Sequence, residues 1–286
     1  MERRKFLQGL GLGVAGLYAK PLLANTLNIG PLAVQLYTIR DAVAKDLEGS
    51  LSKLAGIGYK QLELFDYNGK FFGKTAKEFK SILDRTGLQV VSSHHTTGFE
   101  VKGKGTLMDG WEKAVEDLHV LGSEYMVCSY LHPNERTTKH YERLPALLEK
   151  SGQATKKAGI QFAYHNHDFE FQKSGDFIPY DFILKNTPAD LVKMESDLYW
   201  FAKAGQDPVA YFEKHPGRFP LWHVKDMEAG TGIFTEVGSG TINFDRIFAA
   251  RKTAGLKYWF VEQDQSKQDP FESLKISRDY LAKKNF

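Results

Sequence analysis

The 286-residue chain contains one cysteine, Cys128, so no internal disulfide can form. It has no apolar run long enough for a permanent transmembrane helix, since the stretch near its start is short and broken by glycine. No linker, low-complexity block or composition shift divides residues 25–286, which read as one domain. No glycine-rich turn follows the first apolar run to cradle a dinucleotide, and Gly9-Leu10-Gly11-Leu12-Gly13 lies in the N-terminal segment instead. An excess of charge is also missing beyond that segment. The whole chain carries 38 basic and 35 acidic residues; residues 1–24 hold four of the former and one of the latter, leaving 34 of each. A balanced chain offers no electrostatic footprint for nucleic acid. With 42% hydrophobic and 26% charged residues, disorder, collagen and coiled coil are excluded.

The surplus of +3 belongs to what reads as an address. Glu2-Arg3-Arg4-Lys5 forms a basic start, Phe6 to Leu17 an apolar glycine-rich stretch, and Leu22-Leu23-Ala24 ends on a small residue. This is the layout of a cleavable export signal. Arg3-Arg4 followed by Lys5, Phe6 and Leu7 resembles the twin-arginine type rather than a plain Sec signal or an uncleaved anchor. The expectation is a periplasmic or otherwise exported protein with no membrane anchor after cleavage.

From residue 31 short apolar runs alternate with longer amphipathic segments. The runs begin near Ala33, Gln61, Gln89, Glu124, Ile160, Leu191, Leu221 and Lys257, spaced about as a strand, a helix and two connections require. They are rich in β-branched and aromatic residues, as in Tyr258-Trp259-Phe260-Val261. Helical periodicity marks Asp41–Ala55, Thr75–Arg85, Trp111–Leu121, Tyr141–Ala158, Asp207–His215, Phe244–Ala254 and Pro270–Ala282, with a short candidate near Tyr180–Lys185. Eight strand-helix units predict a closed α/β barrel of the (β/α)8, or TIM, type, with an open doubly wound sheet as runner-up.

In such a barrel, chemistry gathers where strands end. The ends here are Gln35-Leu36-Tyr37, Glu63, His94-His95, His165-Asn166-His167-Asp168, Glu195-Ser196-Asp197, His223-Val224-Lys225-Asp226 and Glu262-Gln263-Asp264. Five of the nine histidines fall there. Imidazoles and carboxylates from several strands suit one divalent ion of intermediate softness, such as Mn, Zn or Co. Alternation lets only one of His94 and His95 face the axis, whereas His165 and His167 share a face, as do Glu195 and Asp197. The competing readings are core hydrogen bonding for a lone histidine and helix capping for Asp197 and Asp226. Gly238-Ser239-Gly240 is either a ligand loop or turn chemistry. Cys128 reads as a small buried apolar residue.

Val34-Gln35-Leu36-Tyr37-Thr38, Gly58-Tyr59-Lys60-Gln61-Leu62-Glu63, Tyr164-His165-Asn166-His167, Trp222-His223-Val224-Lys225-Asp226 and Phe260-Val261-Glu262-Gln263-Asp264 together resemble the sugar phosphate isomerase/epimerase family. The resemblance implies a xylose-isomerase-like barrel and one divalent ion, Mg included, held by His165, Asp197, His223 and Glu262, with His167 as the alternative to His165. Relatives typically use two metal-bound glutamates on opposite faces of the substrate, and here only Glu262 matches that pair. Histidine-rich fifth strands are similar to those of inosose dehydratase relatives and of exported relatives acting on 3-keto sugars.

The expected activity is a metal-dependent sugar isomerase or epimerase acting on a keto sugar through a metal-bound enediolate. The alternatives are a lyase or dehydratase cleaving 3-keto-glycosides or keto-inositols by elimination, and a non-catalytic exported sugar-binding protein. An endonuclease IV-type phosphodiesterase would want more metal ligands and a basic surface. Glu262 is assigned as ligand and base, one of His95 and His167 as a further acid or base, and Lys225 as partner of the enediolate oxygen. Glu63 and Glu236 are assigned to substrate hydroxyls, and Tyr37 and Trp222 to the apolar face of the sugar. The expected partner is a small sugar or glycoside, with a homo-oligomer possible.

Overall fold

The computed structural model describes residues 31–284, so the segment read as an export signal and the glycines within it lie outside the described residues. Eight parallel strands close into a barrel: β1 (Ala33–Gln35), β2 (Gln61–Leu64), β3 (Gln89–Thr96), β4 (Tyr125–Tyr130), β5 (Gln161–His165), β6 (Val192–Asp197), β7 (Leu221–Val224) and β10 (Tyr258–Val261). The first strand closes on the last through Ala33↔Phe260 and Val34↔Val261. A two-stranded antiparallel hairpin, β8 (Asp226–Met227) and β9 (Phe234–Thr235), stands outside the barrel after β7. All eight barrel strands begin within one residue of the apolar runs in the sequence.

Helices fill the connections: α1 (Arg40–Lys45), α2 (Leu47–Ile57), α3 (Ala76–Thr86), α4 (Trp111–Leu121), α5 (Thr138–Lys157), α6 (Pro179–Asn186), α7 (Leu198–Lys203), α8 (Pro208–Lys214), α9 (Phe244–Ala249), α10 (Arg251–Ala254) and α11 (Pro270–Leu281). The segment expected as one helix over Asp41–Ala55 divides at Asp46. That residue adopts an extended backbone and accepts the Gly49 N–H, capping α2. The short α7 is unanticipated, because its Leu198-Tyr199-Trp200-Phe201 run has no helical periodicity to display.

Alternation along the strands divides the molecule into two cores. Ala33, Val91, Val127, Ala163, Leu221 and Phe260 point inward and plug the lower barrel. A far larger cluster packs strands against helices. Stepping two residues up from the plug on β5, β7 and β10 reaches His165, His223 and Glu262, so the apolar layer is the floor on which the polar site stands.

Trp222 lies between the inward Leu221 and His223 and therefore faces outward. It is fully buried, stacked on Phe212 of α8 at 5.0 Å with its edge toward Phe248 of α9. The assignment of Trp222 to substrate is thus corrected to core packing. Trp222→Ala is expected to destabilise the fold by about 3–5 kcal/mol. Urea denaturation measures this; near-native stability with a raised KM would return Trp222 to the site.

Candidate metal centre and active site

Glu195, at the C-terminal end of β6, lies at the middle of an imidazole ring of neighbours. Its Oε2 is 2.8 Å from His94 Nε2, 3.0 Å from His165 Nδ1 and 3.3 Å from His223 Nε2. Glu63 approaches the same imidazoles from β2, with its Oε2 2.5 Å from His223 Nε2 and 3.1 Å from His94 Nε2. On the other edge of the His223 ring, Nδ1 lies 2.6 Å from Glu262 Oε2 and 3.9 Å from Asp197 Oδ2. Lys225 extends the cluster upward, its Nζ 2.6 Å from Glu262 and 2.9 Å from Asp197. Apart from the slightly exposed His94, these groups are buried.

Burial alone would push His94 and His223 toward neutrality, but the carboxylates override it. Glu63 and Glu195 lift His94 to about 9, and Glu195, Glu262 and Glu63 hold His223 well above the ordinary imidazole range. Burial raises carboxyls; for Glu262 the Lys225 ammonium and His223 win and bring it down to about 2, while Asp197 stays up at about 6. Lys225 is held charged by Asp197, Asp264 and Glu262 against the cost of burial. His165 and His167 are neutral: burial lowers both, with the His223 charge next for the first and the Lys225 charge next for the second.

The donor set fits a divalent ion. His94, His165, Glu195 and His223 offer ligand atoms within 4.8 Å of one another, as do Asp197, His223 and Glu262. Glu63 Oε1 and Glu195 Oε1 are buried without a hydrogen-bond partner, which is costly unless a cation meets them. Mixed imidazole and carboxylate donors suit ions such as Zn or Mn.

All four residues expected as ligands, His165, Asp197, His223 and Glu262, meet here, with His165 Nε2 3.6 Å from Asp197 Oδ2. Asp197 does double duty, since its Oδ1 accepts the Tyr199 and Trp200 N–H groups at the start of α7 while Oδ2 faces Lys225. Glu63, expected on a substrate hydroxyl, instead sits beneath the imidazoles. His94 is the residue that strict alternation misses. Reading β3 by twos from the inward Val91 reaches His95, but the pairing with β2 slips by one residue between Leu62↔Val90 and Glu63↔Ser92, which reverses the phase. His94 therefore faces the axis. His95 turns outward, its Nδ1 2.8 Å from the Gly105 carbonyl and its ring edge-on to Trp111, and burial lowers it to about 4. Both His95 and His167 border the cavity, but the His95 ring is held by the Gly105 carbonyl away from the imidazole and carboxylate cluster, which favours His167 as the acid or base.

Glu236 is corrected as well. Its carboxylate accepts from Ser273, Gln268 and Thr235, tying the loop after β9 to α11 away from the cluster. Asp226 caps no helix, and Gly238-Ser239-Gly240 wraps the Asp226 carboxylate instead of lining the cavity. The buried Asp226 carboxylate accepts four backbone N–H groups, from Met227, Gly238, Gly240 and Ile242. A Cβ on Gly240 would lie 2.3 Å from Asp226 Oδ1, so this wrap requires glycine.

Above the cluster opens a cavity of about 1000 Å³. His94, His165, His167, Lys225 and Glu262 reach it, as do the rings of Tyr37, Tyr130, Phe169 and Trp200. Tyr37 thus stands where a sugar face would pass. Lys102, Lys104 and Arg136 also line it, basic residues that loops rather than strand ends supply. His167 stacks on Phe169 at 5.2 Å and is pinned through its backbone N–H to the Glu170 carboxylate at 2.8 Å.

Glu170 is fully buried, and burial lifts it to about 7 against hydrogen bonds from Tyr164 and the His167 N–H. The folded chain keeps a proton that the unfolded chain releases near 4.5. This group's contribution to stability is therefore complete below pH 4.5 and is lost as pH rises to about 7, by about 3 kcal/mol. Glu170→Gln is expected to gain that much relative to the parent between pH 4 and pH 8. Urea denaturation at the two pH values measures it, and parallel stability profiles would contradict it.

A family model described as xylose isomerase-like TIM barrel matches residues 51–284. The chain belongs to the xylose isomerase-like TIM barrel family. An inosose dehydratase of Lacticaseibacillus casei is 25% identical over 269 residues, covering 82% of this chain and 88% of that protein. An inosose dehydratase of Bacillus cereus (strain AH820) is 22% identical over 298 residues, covering 91% and 98%. The crystal structure of a sugar phosphate isomerase/epimerase from Parabacteroides distasonis superposes with a TM-score of 0.77 at 30% identity, over 88% of this chain and 93% of that one. The IolI protein with a bound zinc atom superposes at 0.69 with 15% identity, over 90% and 99%, a likeness of fold. This family member is a metal-dependent enzyme, an isomerase/epimerase or a carbon–oxygen lyase.

Proposed function

We propose that the protein is a metal-dependent carbon–oxygen lyase that removes a proton beside the carbonyl of a keto sugar, keto-inositol or 3-keto-glycoside and expels the oxygen at the next carbon. This prefers the elimination reading to the isomerase or epimerase reading first drawn from the family. The observation that carries it is the end of β5. Two neutral imidazoles stand there, where epimerisation with two opposed glutamates needs a second carboxylate facing Glu262. The similarity to inosose dehydratases supports the same choice.

His165, Asp197, His223 and Glu262, with Glu195 and His94 beside them, would hold a divalent ion, which would supply Lewis acidity toward a carbonyl and an adjacent hydroxyl. His167, neutral and on the cavity wall, takes the proton from the carbon next to the carbonyl. Lys225, held charged by Asp197, Asp264 and Glu262, faces the negative charge that grows on oxygen. The imidazolium of His167 then returns its proton to the departing oxygen, so that water or an alcohol leaves and a carbon–carbon double bond forms. One imidazole serves both transfers when proton and leaving group share a face. The aromatic wall of Tyr37, Tyr130 and Trp200 suits the apolar face of a sugar.

A substrate analogue lacking the oxygen to be expelled separates the two reactions. In deuterated water it is expected to exchange its acidic proton and release nothing; its conversion into an epimer would overturn the lyase reading. We also propose that residues 1–24 act as a twin-arginine export signal, on the strength of Arg3-Arg4 and the apolar stretch behind them, so that an exported enzyme meets its sugar outside the cytoplasm. Among the described residues no helix is long and apolar enough to cross a membrane.

A further inference from the structure

Arg136, in the connection between β4 and α5, is half-buried on the cavity wall with its guanidinium held flat. The central carbon lies 3.7 Å from the centre of the Phe169 ring and 5.1 Å from that of Tyr130. Nε donates to the Leu131 carbonyl at 2.9 Å and Nη2 to the Tyr130 hydroxyl at 2.6 Å, which consumes the inner edge of the group. A guanidinium has five N–H donors. The three that remain, two on Nη1 and one on Nη2, include the parallel pair that grips a carboxylate end-on. Asp66 and Asp168 line the same cavity, yet among the described residues no carboxylate pairs with Arg136. Tyr130 adds a donor of its own: arginine only donates, so the phenolic oxygen accepts and its proton is unspent. Lys102, by contrast, spends its ammonium on the Gly98 and Phe99 carbonyls. The free groups of Arg136 and Tyr130 are therefore donors that lack an acceptor.

This wall stands beside the leaving group. Phe169 lies parallel to His167 with ring centres 5.2 Å apart, and Tyr130 is edge-on to His167 at 5.1 Å. His167 returns its proton to the departing oxygen in the elimination above, so whatever that oxygen carries lies against these rings. Water leaving a keto-inositol makes no use of them, and a cavity of about 1000 Å³ holds more than one sugar ring. We infer that the cavity receives a glycoside whose leaving group is an aromatic ring bearing a carboxylate, with Arg136 gripping the carboxylate and Tyr130 and Phe169 flanking the ring. The inference rests on the lyase reading and supplies the far half of the substrate; Tyr37 and Trp200 remain for the sugar. Elimination breaks the bond between the sugar carbon and the phenolic oxygen. The pair left by the abstracted proton forms the carbon–carbon double bond, and the pair of the broken bond goes to the oxygen, which takes the His167 proton and departs as a hydroxybenzoate.

The test gives the metal-loaded full chain the 3-keto-glucosides of 4-hydroxybenzoate and of its methyl ester. The ester is the better leaving group, so intrinsic reactivity opposes the expected preference. The parent is expected to show kcat/KM about 10–100-fold higher for the acid, and Arg136→Gln, which keeps a planar donor against Phe169, to bring the two within about 3-fold. Because Arg136 also props Phe169 beside His167, both substrates slow in the variant and only their ratio is read. Equal rates in the parent, or a preference unchanged in Arg136→Gln, overturn the inference and leave the lyase reading standing. Calorimetry with free 4-hydroxybenzoate and its methyl ester measures binding apart from turnover. If neither glycoside releases its aglycone, but the parent holds the acid at least about 10-fold more tightly than the ester and Arg136→Gln does not, the lyase reading fails and the carboxylate subsite stands. Should Arg136→Gln fail to fold, Arg136→Lys takes its place: a point charge without the parallel pair is expected to keep less than about a third of the preference, and an undiminished preference overturns the inference.

Discussion

Replacing Glu195 by Gln is expected to reduce bound metal from one ion per chain to nearly none and to lower kcat/KM at least about 1000-fold. That factor corresponds to about 4 kcal/mol of transition-state stabilisation, the scale on which a Lewis acid acts. The shape of the side chain is kept, so the effect isolates its charge. Glu195 Oε2 contacts three imidazoles, and without its charge only Glu63 remains to join His94 and His223, while His165 loses the carboxylate nearest its Nδ1. Its partnerless Oε1 argues the same way, because a buried carboxyl oxygen facing nothing is expensive unless a cation is its partner. Metal analysis of the folded variant, checked by circular dichroism, measures the first part, and steady-state kinetics the second. Full metal content with full activity would remove Glu195 from the centre.

His167→Ala is expected to separate chemistry from metal binding. kcat should fall about 10²–10⁴-fold, the usual contribution of a positioned acid or base, while one ion per chain remains. The ring is anchored by its stack on Phe169 and by the Glu170 carboxylate on its backbone N–H. Proton exchange at the carbon beside the carbonyl should slow in step with product formation, because one imidazole serves both transfers. Exchange at the parent rate with product formation lost would mean that His167 is the acid alone, and unchanged kinetics would hand the role of base to another group. The same substitution at His95 should leave kcat within a few-fold of the parent, since that ring is tied to the Gly105 carbonyl and Trp111 and makes no contact with the metal-ligand cluster.

These two residues also mark how far the sequence can be read. The eight strands are legible because parallel strands buried on both faces need apolar runs, and barrel geometry spaces those runs evenly. Strand ends then single out His165, His223, Lys225 and Glu262, and period two pairs His165 with His167. The same period, applied without interruption, puts His95 in place of His94, because a one-residue slip against β2 leaves no mark in composition. Trp222 is a different case. Its outward direction follows from the inward His223 beside it, and an aromatic residue at a strand end attracts a substrate role that alternation denies. Glu195 was visible as the companion of Asp197, yet only the packing of β3, β5 and β7 shows three imidazoles closing on it. Asp197 itself combines a capping role with an ion pair, which spacing cannot separate. Lys102, Lys104 and Arg136 reach the cavity from loops, where no periodicity points to a destination.

The central claim is that proton removal beside the carbonyl ends in expulsion of oxygen. It is tested most directly by incubating the metal-loaded enzyme with a keto-inositol and with a 3-keto-glycoside in deuterated water and following both by NMR. The account predicts an unsaturated ketone, together with water from the first substrate and the free aglycone from the second. Deuterium incorporated into an otherwise intact skeleton, with an epimer or positional isomer as the final product, would contradict it.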